Sequence, residues 1–591
     1  MFFEKSITKK LSYIGLIFVF LTILIALLFF TPRGYEPSIY ESFPPYFWFL
    51  LIIIEIIGLQ ILINEIIDYK KFNNELKFKK IGIVLISFVN LIILSLPLKY
   101  KFYGINDAVT HIGYARDILF SGNLGTSNFY PLSHIYVVFM SILPNLNILH
   151  GIMLIMPIFY ILYVLGIFLL SQKVTDDEIK RTFIIIFAII TPVGIYSSEF
   201  SPIGIGIFCI PLVLYLILNN DKIEYSTLFT IACFFSVFIH PLISIYSILI
   251  LITYYVSNKI YRTIYKKKDF DTINPLNSIS LIFITLLTWI GSFWVFGDRI
   301  LRLASWMSGE LKYSYLERYQ TSIIKTGYGF FDTFLLLTKT YGSILIYIAL
   351  FLIALTYIVK KIITKKDILK EELFLALISL IFGSISLLFF VIGFNVAANP
   401  LRLVALALVT SSIFCGLVYS DIIIPKNSKK IKKIIFASLT ALLVISACLG
   451  IFNIHQSPLT KKPSMDMSNA LYNGGTWLTT NTNTTNTIYI VSYNVDRMRE
   501  NILGFEASKP NSALNLEPHF GYNNYTSVGY TLRRTGFIPV TVYDTYYYGT
   551  LWPTQGSFNL TDIKRLNKDI SASLVYSNGE FDLFYTKKFD L

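Results

Sequence analysis

The stretch Gly104–Gly122, GINDAVTHIGYARDILFSG, sets two acids, an imidazole, a phenol and a guanidinium between apolar runs long enough to be membrane spans. On a helical wheel Asp107, Thr110, His111, Tyr114 and Asp117 fall on one side, and Ala108, Ile112, Ala115 and Leu119 on the other. The pattern predicts an amphipathic helix lying on the outer leaflet, apolar face down and titratable face turned to the protein. Four more ionisable residues stand at comparable depth. Glu199 lies in the short turn IYSSEFSP, His240 precedes Pro241 between two short apolar runs, Arg402 follows Asn399-Pro400, and His134 sits on the apolar run PLSHIYVVFMSIL. Charged groups at membrane depth are costly and are by default a functional-site signal. A carboxylate here can take a proton, and a guanidinium fork matches the oxygens of a phosphate.

Each residue also has a plain structural reading. Asn106 or Asp107 can cap the helix, and Glu199 can cap the run that starts at Pro202. Arg402 can snorkel to lipid headgroups, His134 can be an interfacial polar residue, and His240 can satisfy backbone freed by the break at Pro241. Asp107 and Glu199 together could hold a divalent metal ion, although two acids make a thin site.

The elements that position these residues are membrane spans. Of 591 residues 54% are hydrophobic and only 15% charged, where a soluble domain carries roughly a quarter. The net charge of +14 sits on lysines in short loops between apolar runs, which argues for a membrane partner and against nucleic acid. Cys209, Cys233, Cys415 and Cys448 lie inside apolar runs, as small buried hydrophobes do. Thirteen segments are long enough, or nearly so, to cross: approximately 11–31, 46–67, 81–98, 147–171, 182–198, 202–218, 225–239, 241–256, 279–297, 341–361, 373–394, 401–420 and 433–452. The first lacks a small-residue cleavage site and reads as a retained span.

With the N-terminus inside, Lys and Arg favour the cytoplasmic loops by more than two to one. That orientation places 99–146 and everything after Phe452 outside a plasma membrane. The sequons at Asn483, Asn524 and Asn559 all fall in that tail. Residues 453–591 alternate strand-like runs with polar loops and close on SLVYSNGEFDLFY, a hairpin turning at Asn578-Gly579. The expected architecture is therefore a polytopic α-helical membrane protein over 1–452, with surface helices at 105–143, and a small extracytoplasmic α/β domain over 453–591. The loop 298–340 is long, aromatic and charged, and reads either as a further surface helix or as a lid over the site.

The opening stretch resembles the first outer loop of the GT-C membrane glycosyltransferases, of the aminoarabinose-transferase and protein-mannosyltransferase kind. Those carry an Asp, matched by Asp107, then an amphipathic helix ending in Arg-acid-x-Leu-x-Ser-Gly, matched by Arg116 to Gly122. A Pro-Leu surface helix is matched by Pro131-Leu132, and a second outer acid by Glu199. Two positions depart from the pattern: Ala108 stands where many relatives carry a second acid, and Tyr130 where a basic residue often precedes the Pro-Leu pair. The resemblance implies transfer of a sugar from a polyprenyl-phosphate donor to a lipid, glycan or protein acceptor at the outer membrane face. Such a transfer needs a base and fixed cations: Asp107 is the candidate general base, Arg402 the first candidate for the phosphate with His240 and His134 behind it, and His111, Tyr114 and Glu199 complete the set expected around the substrates. An oligosaccharyltransferase shares the plan, but its Trp-Trp-Asp signature is missing, since Trp477 and Trp552 stand apart. A transporter or flippase would show internal repeats and ionisable groups near mid-membrane.

Overall fold

The computed structural model describes residues 2–32, 34–68, 77–190, 198–219, 222–265, 276–308, 327–364, 366–392, 400–423, 429–483, 486–509, 513–553 and 556–590. Each of the thirteen expected segments carries a helix. Among the described residues nine helices are long and apolar enough to cross a membrane, from Ile7–Leu28 to Ile434–Ile451. The remaining four are shorter: Glu178–Ile190, Pro202–Leu218, Ile223–Ile239 and Leu276–Gly291. The chain is a multi-pass helical membrane protein. Proline opens several of these helices (Pro45, Pro131, Pro202, Pro241, Pro400), where its fixed φ suits the first turn and its missing N–H costs nothing.

Helix contact is close where glycine permits it. A Cβ on Gly416 would lie 2.5 Å from the Ile184 Cα, so Pro400–Ile423 and Glu178–Ile190 touch backbone to backbone. Hydroxyls tie neighbouring helices: Tyr163 donates to the Ala188 carbonyl at 2.9 Å and Tyr347 to that of Phe187 at 2.8 Å.

The expected span at 279–297 carries a sharp bend. Its helix stops at Gly291 and the chain resumes as Trp294–Met307, bent by 104°. Ile300, Leu301 and Met307 are exposed on that second piece, as on a helix resting in an interface. This supports the surface-helix reading for the start of loop 298–340; residues 309–326 of the loop lie outside the described residues.

The C-terminal residues build a five-stranded mixed sheet. Its strands are β3 (Thr487–Ile490), β4 (Ala513–Asn515), β5 (Gly536–Thr541), β6 (Ala572–Ser577) and β7 (Phe581–Thr586), in the order β4-β3-β5-β7-β6. The hairpin β6–β7 turns at Asn578-Gly579 as expected, with Gly579 at φ +89°. One side of the sheet has its own core of Tyr489, Phe520, Ile538, Val540 and Phe584. The other side, through Ile488, Phe581 and Leu583, is continuous with the core of the membrane helices. A short ladder adds to the join: β1 (Phe102–Tyr103) pairs antiparallel with β2 (Asp466–Met467), just before the surface helix Asp107–Ser121.

Candidate functional site

The surface helix Asp107–Ser121 starts abruptly. Asn106 holds φ +53°, a left-handed conformation rare for a residue with a side chain, and neither it nor Asp107 caps the helix through its side chain. The expected leaflet-facing side is corrected. Ala108, Val109, Ile112 and Ala115 are buried in the protein, and only Leu119 and Phe120 near the end are exposed. The helix is held between membrane helices on one side and the tail on the other.

Its polar stripe meets the tail helix Asp496–Leu503. Arg497 Nη1 donates to Asp107 Oδ1 at 2.6 Å and to Thr110 Oγ1 at 3.1 Å. The Thr110 hydroxyl donates to Glu500. Asp117 accepts the backbone N–H of Glu506 at 3.1 Å. Gly113 allows this approach, because a Cβ there would lie 2.8 Å from the Glu500 carbonyl oxygen. Burial of its surroundings pushes the Asp107 carboxyl up, but the hydrogen bond and charge of Arg497, with His111 and Arg402 behind, outweigh it and hold the group below its ordinary range. The Asp107 side chain is 83% exposed and so remains reachable.

His111 and Tyr114 turn the other way, onto the surface helix Pro131–Ile142. Asn128 Oδ1 accepts the Tyr130 N–H at 3.3 Å, which fixes its amide, so His134 Nδ1 must donate to it across 2.7 Å. His134 Nε2 then accepts from His111 Nδ1–H at 2.9 Å, leaving His111 Nε2 as the free lone pair of a neutral ring. Burial lowers the His111 pKa to about 4, only partly offset by the Asp107 charge. Burial also pushes His134 well below its ordinary value, and its neighbour His111 adds to the shift. His134 is fully buried, which corrects the interfacial reading, and its ring stacks on Tyr114 at 5.1 Å.

His240 closes the break between Ile223–Ile239 and Pro241–Tyr265. Its Nδ1 accepts the Leu242 N–H at 3.1 Å, so a neutral ring carries its proton on Nε2, and the ring stacks on Tyr130 at 4.7 Å. The backbone-satisfying reading of His240 thus holds.

Glu199 does not cap the helix at Pro202; Ser201 does, accepting the Gly204 N–H at 3.2 Å. Burial, then the Asp107 charge, raises the Glu199 carboxyl to about 7 against a hydrogen bond from the Ile105 backbone. Its Oε2 is buried without a hydrogen-bond partner among the described residues, as is Nε of Arg402. Glu199 lines a polar chamber of about 100 Å³ with Tyr341, Leu401, His455 and Lys462. Leu401 also lines an apolar groove of about 500 Å³ running between Phe330–Ile363, Lys370–Val391 and Pro400–Ile423. Leu401, next in sequence to Arg402, thus lies on the wall of both cavities.

No family model matches the chain, and no curated relative matches it. Solved structures do. The chain is similar to ArnT from Cupriavidus metallidurans bound to undecaprenyl phosphate, at 10% identity and a TM-score of 0.45, over 85% of this chain and 97% of that one. It is similar to the archaeal oligosaccharyltransferase AglB from Archaeoglobus fulgidus in complex with an inhibitory peptide and a dolichol-phosphate. That match has 14% identity and a TM-score of 0.45, over 87% of this chain and 75% of that one.

The sequence alone missed Arg497. Arg497 lies 390 positions from Asp107, and the only local sign was a charged helix, DRMRENIL, in a tail otherwise rich in Asn and Thr. Among the described residues no three His, Cys, Asp or Glu side chains gather as metal ligands. Arg497 occupies Oδ1 of Asp107, which leaves the pair short of ligands for a divalent cation, and no step is routed through one.

Proposed function

We propose that this protein is a glycosyltransferase that moves a sugar from a polyprenyl-phosphate carrier to a lipid, glycan or protein hydroxyl at the outer face of the plasma membrane. The observation that carries this reading is the apolar groove between Phe330–Ile363, Lys370–Val391 and Pro400–Ile423, which shares Leu401 with the polar chamber that holds Glu199. A long isoprenoid chain suits the groove, with its anionic head at the Leu401 end, where Arg402 follows in sequence. Residues 1–452 form the membrane enzyme, and 453–591 form the outer domain that closes over it.

The chemistry follows from the residues. The acceptor oxygen attacks the anomeric carbon, the bond from that carbon to the phosphate oxygen breaks, and the polyprenyl phosphate leaves with the electron pair. Asp107 takes the hydroxyl proton through Oδ2, since Oδ1 is occupied by Arg497. The incoming phosphate raises the proton affinity of Asp107 and competes for Arg497. Arg402 and the Nε2–H of His240 stabilise the charge that grows on the leaving phosphate. Glu199, poised near pH 7, hydrogen-bonds a sugar hydroxyl. His134, stacked on Tyr114, supports the His111 ring.

The experiment is photo-crosslinking in proteoliposomes with a polyprenyl phosphate bearing a diazirine on its chain. Crosslinks to Phe390, Val404 or Leu408 in the groove are expected, and excess unlabelled carrier should suppress them. Labelling confined to lipid-exposed surfaces such as Leu162 and Leu165 would overturn the reading.

A further inference from the structure

At the end of Lys79–Ser95 farthest from Asp107, three helices frame a cavity of about 270 Å³. It lies between the start of that helix, the end of Ile148–Val174 and the start of Glu178–Ile190, and shares no lining residue with the groove or the chamber. Lys79, Lys80, Arg181, Glu178, Ile83 and Phe168 stand on its walls. Lys79 is only 8% exposed, and its Nζ meets Glu178 Oε2 at 2.8 Å. Arg181 Nη1 takes the other oxygen of the same carboxylate at 2.6 Å, and its Nε donates to the Thr175 carbonyl at 2.7 Å. One acid is thus shared by two buried or half-buried cations. Lys80 is exposed and makes no ion pair among the described residues. Asp176, fully exposed outside the cavity, reaches Arg181 only at 3.4 Å. The lining therefore sets three cations against one carboxylate. One wall continues onto a lipid-facing surface: Phe168, Leu165 and Ile161 recur on one face of their helix, and all three are exposed.

We propose that this cavity binds the headgroup of an anionic phospholipid in the leaflet opposite Asp107, which is the cytoplasmic leaflet in the orientation the lysines favour. Lys80, with no acid to meet, and the pair Lys79 and Arg181, with one acid between them, supply the charge that a lipid phosphate needs. Phe168, Leu165 and Ile161 take an acyl chain along the helix. A zwitterionic headgroup brings its own cation, which the excess positive charge disfavours. A free phosphate gains the charge but leaves the apolar row uncovered. A lipid seated here touches three helices at once and fixes the start of the span Lys79–Lys99. That span is about 30 Å long and ends just before β1 and the surface helix Asp107–Ser121, so the lipid site and the candidate active site stand at opposite ends of one element.

The test is photo-crosslinking of the full-length protein in phosphatidylcholine nanodiscs that carry a trace of phosphatidylglycerol with a diazirine in its acyl chain. Labelling at Phe168 or Ile83 is expected. Unlabelled phosphatidylglycerol should suppress it, whereas extra phosphatidylcholine or inorganic phosphate should not. Lys80→Ala should lower the labelling about fivefold and Lys80→Glu further. Lys80→Arg should label as the parent does, and so should Lys259→Ala, which removes an exposed lysine from Pro241–Tyr265. All four variants should keep the parent's Tm, since both lysines are exposed. Parent-level labelling in Lys80→Ala and Lys80→Glu, or suppression by phosphatidylcholine as strong as by phosphatidylglycerol, would reduce this face to ordinary lipid contact and overturn the assignment. Suppression by inorganic phosphate would make the cavity a soluble-anion site and also overturn it, as would a parent protein labelled at neither residue.

Discussion

At the scale of single residues, two carboxyls in one site are driven apart. Asp107 is held ionised by Arg497, whereas Glu199 is raised to about 7 from an ordinary 4.5 by burial and by Asp107 itself. A carboxyl whose folded pKa is raised binds its proton more tightly folded than unfolded, so its contribution to stability declines as pH rises from about 4.5 through about 7. Glu199→Gln should therefore raise Tm relative to the parent at pH 8 and have little effect at pH 4.5. Scanning calorimetry of both proteins in the same detergent checks this, and an equal difference at both pH values would show that Glu199 does not titrate in this window. The difference between the two proteins isolates Glu199 from Asp466, which burial also raises to about 7. Asp107, Glu199 and Arg402 stood out in the sequence because a charge in or beside an apolar run needs a reason. Arg497 did not, because an arginine in a polar tail is unremarkable until the fold brings it onto Asp107.

At the scale of elements, the surface helix and the tail helix Asp496–Leu503 act as one piece. Their salt bridge is largely exposed on the Asp107 side, and such pairs contribute only about 0–1 kcal/mol. The close approach at Gly113 matters more. Gly113→Leu must displace the Glu500 backbone, at an overpacking cost of about 1–3 kcal/mol, and should free the tail helix. Limited trypsin digestion is expected to cleave at Arg497 and Arg499 in this variant and to spare the parent; equal protection in both would show that the helix docks by other contacts. Helical periodicity gave the surface helix and its two faces correctly. It did not reveal that protein, rather than lipid, covers the apolar face, because the pattern records only that a face avoids water. The same limit hid the bend after Gly291, since an apolar helix reads alike whether it spans a membrane or rests on its surface.

At the scale of the whole molecule, the order of spans, the closing hairpin and the tail-side gathering of ionisable groups were all readable, because span length and loop charge are local properties. The join of the tail sheet to the membrane core was not, because it depends on pairings such as Phe102 with Met467 that no local pattern encodes. Orientation remains an expectation from the lysines, and labelling with a membrane-impermeant thiol reagent in intact cells checks it. Cysteines at Ser121 and Ser577 should react and one at Asp176 should not; the reverse pattern would invert the topology. The function is tested most directly by sugar transfer itself. Purified protein in nanodiscs, given a radiolabelled polyprenyl-phosphate sugar and a membrane extract as acceptor, should release polyprenyl phosphate and label the acceptor. Asp107→Asn keeps the side-chain shape without the basicity, and should lower transfer at least about a hundredfold while Tm and donor binding stay close to the parent's. Transfer by Asp107→Asn at the parent's rate, or no transfer by the parent from any polyprenyl-phosphate sugar, would contradict the proposed enzyme.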